Sequence, residues 1–196
     1  MQRQTGPILD SYWVRADRLL AGQYPGSPCE GEARRRLRQL LKAGVTFLLD
    51  LTKEGEYGLK PYAPLLLEEA IALGRSVKHQ RMSIPDMRIP TVEEMVHILD
   101  TIDAVLEAGH TVYIHCYGGI GRTGTVIGCY LARHGLSGED TLAEIACLRK
   151  GTPDGWKRSP ETFAQRDMVR NWPTEEHIRK ETRREIARPF ASRFGH

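Results

Sequence analysis

The sequence predicts an α/β sandwich with a largely parallel β-sheet. Short apolar runs typical of strands alternate with longer segments whose apolar residues recur at helical spacing. The length of 196 residues fits one domain, and 40% hydrophobic with 27% charged residues is a globular composition. We therefore predict a single folded domain, and the chain becomes highly polar after Pro173.

The first half of the chain contains signals for two strands, a helix, a third strand and a second helix. In that order, the predicted elements lie at residues 12–14, 19–21, 28–43, 45–50 and 65–72. The first helix places Leu37, Leu40 and Leu41 at helical spacing beside four arginines, which we interpret as a solvated helix face. Two glycines and Pro61 predict a loop between the third strand and the second helix.

The second half continues the alternation of strands and helices. We predict a strand within 76–84, a helix over 91–109 and a strand at 111–114. Helices follow the next loop, and the last two of them lie at 138–148 and 159–172. Thr91 is followed three residues later by Glu94, which is the pattern of a capping box at the start of a helix.

Charge and cysteine usage exclude several classes of protein. The chain carries 28 Lys and Arg against 25 Asp and Glu, and a formal charge of +3 is too small to favour nucleic acid or a membrane surface as partner. No apolar run approaches the roughly 20 residues of a membrane span, and the N-terminus lacks the apolar stretch of a secretory signal. The four cysteines show no CxxC pairing, so we predict neither a zinc site nor a disulfide framework, and we expect a cytoplasmic protein.

The most informative segment runs from His115 to Gly124, between a predicted strand and a predicted helix. At such a junction, backbone N–H groups and the positive end of the helix dipole converge on an anion. Three glycines between Cys116 and Arg122 let the loop curl with its amides turned inward, around an oxyanion of phosphate size. Arg122 can add a planar clamp on two phosphate oxygens, which a lysine cannot reproduce.

Cys116 stands at the start of this loop, on the floor of the predicted anion site. The amides, the helix dipole and Arg122 would stabilise a thiolate, and a thiolate beneath a phosphoryl group is placed for in-line attack. His115 could orient the loop through a backbone hydrogen bond, and Thr123 could donate to the sulfur as it leaves. A cysteine at a strand end is otherwise a small buried hydrophobe, but the order of strand, Cys, five residues, Arg, Thr and helix favours catalysis.

A second pattern overlaps the same loop. Residues 119–124 match the GxGxxG fingerprint of dinucleotide-binding proteins. That fingerprint requires an acidic residue at the end of the next strand, about 20 residues further on. The corresponding stretch, near Asp140 to Glu144, is predicted as helix with no strand before it, so the context excludes a nicotinamide site.

The loop resembles that of the cysteine-dependent protein phosphatases, whose motif HCxxGxxR is followed by Ser or Thr. The matching residues are His115, Cys116, Gly119, Arg122 and Thr123. The resemblance covers about residues 12–172 and is greatest to the small dual-specificity and kinase-associated phosphatases and their bacterial relatives. It implies a three-layer sandwich, a phosphocysteine intermediate, neither metal nor cofactor, a catalytic domain over residues 1–172 and a polar tail over 173–196.

Phosphoryl transfer from an ester needs a proton for the leaving oxygen, and Asp86 is the predicted general acid. It follows the strand that ends at Pro85, in a loop before the capped helix, and the family carries its acid in an equivalent mobile loop. Asp50 also ends a strand, but the long loop after it is better suited to shaping the substrate site. Asp100 and Asp103 lie within a helix, and we interpret them as ordinary surface charge.

Further residues are candidates for substrate contacts. The predicted phosphoryl-binding positions, besides Arg122, are Tyr117, Gly118, Gly119, Ile120 and Gly121. Gln165 matches, by resemblance, the glutamine with which many relatives position the hydrolytic water. No spacing argument places the other candidates, which are the pocket-rim residues Glu54, Glu56 and Tyr57 and the possible redox partner Cys29.

The loop chemistry also narrows the substrate class. Lipid phosphatases of this superfamily often carry lysine between the Cys and the Arg to meet additional phosphates, and this loop carries none. We therefore predict a monomeric phosphatase of phosphoproteins, acting on phosphotyrosine and also on phosphoserine and phosphothreonine if the pocket is shallow. Two alternatives stay open: an enzyme for small phosphorylated metabolites such as inositol phosphates, and a phosphate-binding module without turnover.

Overall fold

The computed structural model describes residues 5–173, in which helices cover both faces of one sheet. The strands are β1 (Tyr12–Arg15), β2 (Leu19–Gly22), β3 (Phe47–Asp50), β4 (Lys78–Arg81) and β5 (Val112–His115). The helices are α1 (Glu30–Lys42), α2 (Ala63–Ala72), α3 (Val92–Glu107), α4 (Gly121–Arg133), α5 (Gly138–Arg149) and α6 (Phe163–Arg170), and a short 3-10 turn spans Glu56–Gly58.

The sheet has the strand order β1-β2-β5-β3-β4. Strands β2, β5, β3 and β4 are mutually parallel, and β1 pairs with β2 in the antiparallel direction. Strand β5 is therefore central, and the chain leaves β3, β4 and β5 at the same edge of the sheet. Ligands of open parallel sheets bind outside this carboxyl edge, so three connections are available there to build a site.

Successive side chains of each strand point to opposite faces, as the strand geometry requires. On one face, Leu20, Leu48 and Tyr113 pack against α1 and α2. On the other face, Leu49 and Ile114 join the core formed with α3, α4, α5 and α6. The arrangement is the predicted three-layer α/β sandwich.

Helix ends agree with the predictions where the capping residues are explicit. At α3, Glu94 N–H donates to the Thr91 hydroxyl at 3.2 Å, and Thr91 N–H donates to the Glu94 carboxylate at 2.8 Å. Helix α6 is shorter than predicted, since it begins at Phe163 rather than near 159. The reason is that Thr162 caps it, accepting a hydrogen bond from the backbone N–H of Gln165 at 3.2 Å.

The predicted polar tail lies, beyond Pro173, outside the described residues. None of the helices described between residues 5 and 173 has the length and apolar character needed to cross a membrane.

Candidate active site

Three connections at the carboxyl edge of the sheet meet at one guanidinium group, that of Arg122. The phosphate loop (residues 116–122) joins β5 to α4, and the acid loop (residues 85–90) lies between β4 and α3. The third connection follows β3 and contains a tight turn, residues 55–58, which we call the Glu-Tyr turn. Because β5, β3 and β4 are adjacent in the sheet, these connections lie side by side.

The phosphate loop begins with Cys116, whose residue surface is only 3% exposed, and it ends in the first turn of α4. Gly119 has a left-handed backbone, with φ of 70°, and a Cβ there would lie 2.4 Å from the carbonyl carbon of Gly22. Only glycine avoids both the clash and the unfavourable φ. A further backbone bond, from Tyr24 N–H to the carbonyl of Tyr117 at 2.9 Å, ties the loop to the segment after β2.

Arg122 is the second residue of α4 and is 1% exposed. Its Nη1 and Nη2 donate to the two carboxylate oxygens of Glu56 at 2.7 and 2.6 Å, and Nη1 also donates to the carbonyl of Ile84 at 3.2 Å. Its Nε is buried and has no hydrogen-bond partner among residues 5–173. The guanidinium is thus held on one side and keeps a donor for an anion on the other.

Asp86 lies where the acid loop meets Arg122. Its Oδ1 is 3.0 Å from Nη2 of Arg122, and its Oδ2 accepts a hydrogen bond from the Tyr57 hydroxyl at 2.5 Å. The predicted general acid and the predicted phosphate clamp therefore form an ion pair, although 36 residues separate them in the chain. Asp100 and Asp103 lie elsewhere, on α3, where both pair with Arg133 of α4.

A buried polar group stands behind the phosphate loop. The His115 ring is fully buried, with Nδ1 3.2 Å from the carbonyl of Cys116 and Nε2 2.5 Å from the Tyr62 hydroxyl. Burial lowers the pKa of His115 to about 4, against the attraction of Asp50. The ring is therefore neutral at pH 7, and since a carbonyl only accepts, Nδ1 donates to Cys116 and Nε2 accepts from Tyr62. His115 thus contacts the backbone of the loop.

Asp50, the second acid candidate of the sequence, belongs to this buried group. It is fully buried and accepts hydrogen bonds from the Thr52 N–H and hydroxyl at 2.8 and 2.6 Å, and from Arg81 at 3.1 Å. Burial would raise the pKa of Asp50, but the nearby His79 and the bonds from Thr52 hold it well below its usual range. A carboxylate held in this way stabilises the strand ends beneath the loop.

Thr123 and Gln165 flank the start of α4. The Thr123 hydroxyl is buried and has no hydrogen-bond partner in the described part of the chain. The buried Gln165 uses its amide oxygen to accept from the backbone N–H groups of Glu161 and Thr162, each at 3.1 Å. Its amide nitrogen donates to the carbonyl of Arg88 at 3.2 Å. In this arrangement Gln165 caps α6 and ties the acid loop to it, and a role in positioning water remains a prediction.

Glu56 and Tyr57, which the sequence marks only as rim candidates, contact the two central side chains of the site in the structure. Both side chains come from the Glu-Tyr turn and reach Arg122 and Asp86, respectively. Glu54, two residues earlier, is instead exposed and lies 3.8 Å from Arg81. The available signal was the pair of glycines that brackets Glu56 and Tyr57, because such glycines permit the unusual backbone of a tight turn.

A cavity of about 500 Å³ opens beside the phosphate loop. The loop contributes Tyr117 and Gly118 to its wall, and the Glu-Tyr turn contributes Tyr57. The two tyrosine rings have centroids 5.3 Å apart and are 52% (Tyr117) and 68% (Tyr57) exposed. They form an aromatic rim that can stack against an aromatic group of a substrate.

Residues 26–136 match the family Tc-R-P, described as a polymorphic toxin system DSP-PTPase phosphatase. The chain belongs to this family. The DSP-PTPase match covers more than half of the 196 residues and contains Asp86, Cys116 and Arg122.

The DSP-PTPase domain has relatives in sequence and in structure. The tyrosine-protein phosphatase CDC14 of Candida albicans is 28% identical over 99 residues, which is 50% of this chain and 18% of that protein. The active form of Tk-PTP has a TM-score of 0.65 at 24% identity, over 83% of this chain and 95% of that one. Kinase associated phosphatase has a TM-score of 0.64 at 22% identity, over 85% and 93%. These solved structures share the fold.

The remaining cysteines of the chain lie outside the phosphate loop. Burial raises the pKa of Cys129 far above its usual range, so this thiol stays protonated. Cys29 is exposed at the start of α1, and Cys147 is half-buried on α5. Within residues 5–173, no group of three or more His, Cys, Asp or Glu side chains is arranged to hold a metal ion.

Proposed function

We propose that this protein hydrolyses phosphomonoesters of proteins, above all phosphotyrosine, through a phosphocysteine intermediate at Cys116. The observation that carries the proposal is the arrangement around Arg122. Its guanidinium is buried, held by Glu56 and paired with Asp86, while Nε remains without a protein partner among the described residues. Such a donor beside a glycine-rich loop at a helix N-terminus supports the binding of a phosphoryl group.

In the first step, the inward-facing amides of the phosphate loop and Arg122 bind the three non-bridging phosphoryl oxygens. The Cys116 sulfur attacks phosphorus in line, so that the S–P bond forms as the ester P–O bond breaks. Asp86 gives its proton to the leaving oxygen, which departs as an alcohol or phenol. Donors already directed at the phosphoryl oxygens stabilise the charge of the transition state without reorganisation.

In the second step, a water molecule attacks phosphorus and gives a proton to the Asp86 carboxylate. The S–P bond breaks, inorganic phosphate forms, and the sulfur leaves as a thiolate. The buried Thr123 hydroxyl, which has no other hydrogen-bond partner among residues 5–173, is available to donate to that sulfur. In this mechanism no metal or cofactor is required.

The surroundings of the loop favour an aromatic ester as substrate. Positions 117–121 carry no cation for additional phosphates, which argues against polyphosphorylated inositol rings. The exposed rim of Tyr57 and Tyr117 supports stacking of a phosphotyrosine ring, and phosphoserine and phosphothreonine lack such a ring. All the side chains of the proposed mechanism come from one chain, so we propose that the protein acts as a monomer. Because the Cys116 thiolate must stay reduced, we also propose that it acts in the cytoplasm.

A mixed substrate panel tests the proposal. Phosphate release is measured with phosphotyrosine, phosphoserine and phosphothreonine peptides and with soluble inositol phosphates, with and without EDTA. We expect the highest kcat/KM on phosphotyrosine peptides, no effect of EDTA, and no turnover by Cys116→Ser. Turnover of inositol phosphates alone would assign the protein to small metabolites, and vanadate binding without any turnover would make it a binding module.

A further inference from the structure

The Glu-Tyr turn contacts the phosphate-binding arginine and the general acid of the proposed mechanism through two consecutive side chains. Glu56 accepts two hydrogen bonds from Arg122, and Tyr57 donates one to Asp86. These contacts join segments 66 and 29 residues apart in the chain. The phosphate clamp and the acid are therefore positioned by one short segment that follows β3.

The backbone of this turn is specialised for the task. Tyr57 has φ of 52° and ψ of 22°, a left-handed conformation that residues with a Cβ rarely adopt. Its neighbours Gly55 and Gly58 have φ of 71° and 68°. In a regular helix consecutive side chains point about 100° apart, whereas here both Glu56 and Tyr57 reach the Arg122–Asp86 pair. The Tyr57 ring also lies beside the Tyr117 ring, with centroids 5.3 Å apart.

We propose, on the basis of the phosphatase function above, that Tyr57 is the positioning residue of the general acid and selects which carboxyl oxygen transfers the proton. The Tyr57 hydroxyl donates to Oδ2 of Asp86, so Oδ2 is occupied as an acceptor. The transferable proton then belongs on Oδ1, the oxygen that faces Arg122 at 3.0 Å.

Substrate binding exchanges one partner of Asp86 and keeps the other. The incoming phosphoryl oxygens bind Nε and Nη2 of Arg122, so Oδ1 gives up its contact with Nη2 and lies beside the bound ester. Tyr57 retains Oδ2 throughout. Protonated Oδ1 then gives its proton to the leaving oxygen as the P–O bond breaks, and it takes a proton from water as the S–P bond breaks. The hydrogen bond to Asp86 raises the pKa of Tyr57, so the hydroxyl stays a donor at neutral pH.

The test is the variant Tyr57→Phe, which keeps the ring and removes the hydroxyl. On a phosphotyrosine peptide, whose phenol is a poor leaving group, the rate of phenol release in the first turnover should fall about tenfold, the effect of one hydrogen bond to a charged group. On an activated aryl phosphate with an acidic phenol, this first-turnover rate should stay close to wild type, and KM should change little for both. In the Asp86→Asn background, Tyr57→Phe should cause no further loss. Tyr130→Phe, a hydroxyl deletion on α4 outside the site, should leave both activities unchanged.

Each other outcome overturns a specific statement. Equal losses on both esters, a change confined to KM, or losses that multiply in the double variant would make Tyr57 a rim residue without a role in proton transfer. In those cases the proposed function stands as long as Asp86→Asn shows the leaving-group dependence. If wild-type protein hydrolyses neither ester, the proposed function fails and the role of Tyr57 fails with it. An unchanged thermal unfolding midpoint for Tyr57→Phe verifies that the fold is intact.

Discussion

The carboxylate of Glu56 accepts hydrogen bonds from both terminal nitrogens of Arg122, at 2.6 and 2.7 Å. The two side chains are nearly buried, at 9% and 1% exposure, so the pair is poorly screened by solvent. A two-point contact of this kind sets the plane of the guanidinium as well as its position. Arg122 is therefore oriented before a phosphoryl group arrives, which is the arrangement that makes transition-state binding efficient.

Glu56→Gln tests this orientation. The amide keeps the shape but removes the charge and one acceptor, so we expect kcat/KM to fall by roughly 10- to 100-fold. Because the buried Arg122 loses one of its two carboxylate partners and keeps Asp86, the free energy of unfolding should also fall, by about 1–3 kcal/mol. Glu107→Gln, an exposed change at the end of α3, serves as the control in both measurements. Wild-type kinetics in Glu56→Gln would mean that Arg122 does not depend on Glu56.

Arg122→Lys separates charge from geometry. Lysine keeps the positive charge but lacks the planar fork, so we expect kcat/KM to fall by roughly 10² to 10³, the cost of one lost oxyanion donor. The measurement is steady-state hydrolysis of a phosphotyrosine peptide, with the exposed Arg75→Lys as control. Near-wild-type values would show that Arg122 does not contact the phosphoryl group.

Asp86→Asn distinguishes a chemical role from a structural one. Loss of the acid should slow hydrolysis of a phosphotyrosine ester by about 10² to 10⁴, the usual range for acid catalysis. Formation of the phosphocysteine from an activated aryl phosphate, followed as phenol release in the first turnover, should suffer far less, because its leaving group needs no proton. The alkaline limb of the pH–rate profile should also disappear, since no carboxylic acid remains to be deprotonated. Equal losses on both esters with the limb intact would contradict the assignment.

His115 predicts a pH dependence of stability. Burial lowers its pKa from 6.5 to about 4, so the unfolded chain binds more protons between these values. Stability is therefore complete above pH 6.5 and is lost as the pH falls towards 4; from pH 7 to pH 5 the loss should be about 2 kcal/mol. Urea unfolding at both pH values measures it. His115→Asn should remove most of the change in unfolding free energy between the two pH values. His97→Asn, an exposed change on α3, should keep it. An equal change in wild type and both variants would refute the assignment.

The sequence was most informative where function depends on neighbouring residues. Loop residues 115–124 and the capping box of Thr91 and Glu94 are local patterns, and each lies at the element end where it was predicted. The central parallel sheet also followed from the alternation of strand and helix signals, because buried strands are short apolar runs. Asp86 was predicted as the general acid from its position after a strand. Strands β4 and β5 both end at the carboxyl edge of the sheet, and this brings Asp86 to Arg122.

The contacts of Glu56 and Tyr57 could not be predicted in the same way. They depend on a left-handed backbone at Tyr57 and on partners 66 and 29 residues away, and neither has a period or a motif. The start of α6 was missed for a different reason: Thr162 and Gln165 form a capping box like that of Thr91 and Glu94, but earlier residues compete with Thr162 as the cap. The resemblance to a phosphatase family identified Gln165 as a candidate site residue. Its contacts with Arg88 and with the α6 N-terminus are known only from the structure.

In the proposed mechanism the phosphoryl group passes through Cys116, and trapping that intermediate is the most direct test. Wild-type protein is mixed with a phosphotyrosine peptide labelled in its phosphate, quenched in acid within the first turnover, digested and mapped. We expect label on the peptide that contains Cys116 and none in Cys116→Ser, which should still bind vanadate. Label on any other residue, or full turnover by Cys116→Ser, would contradict it.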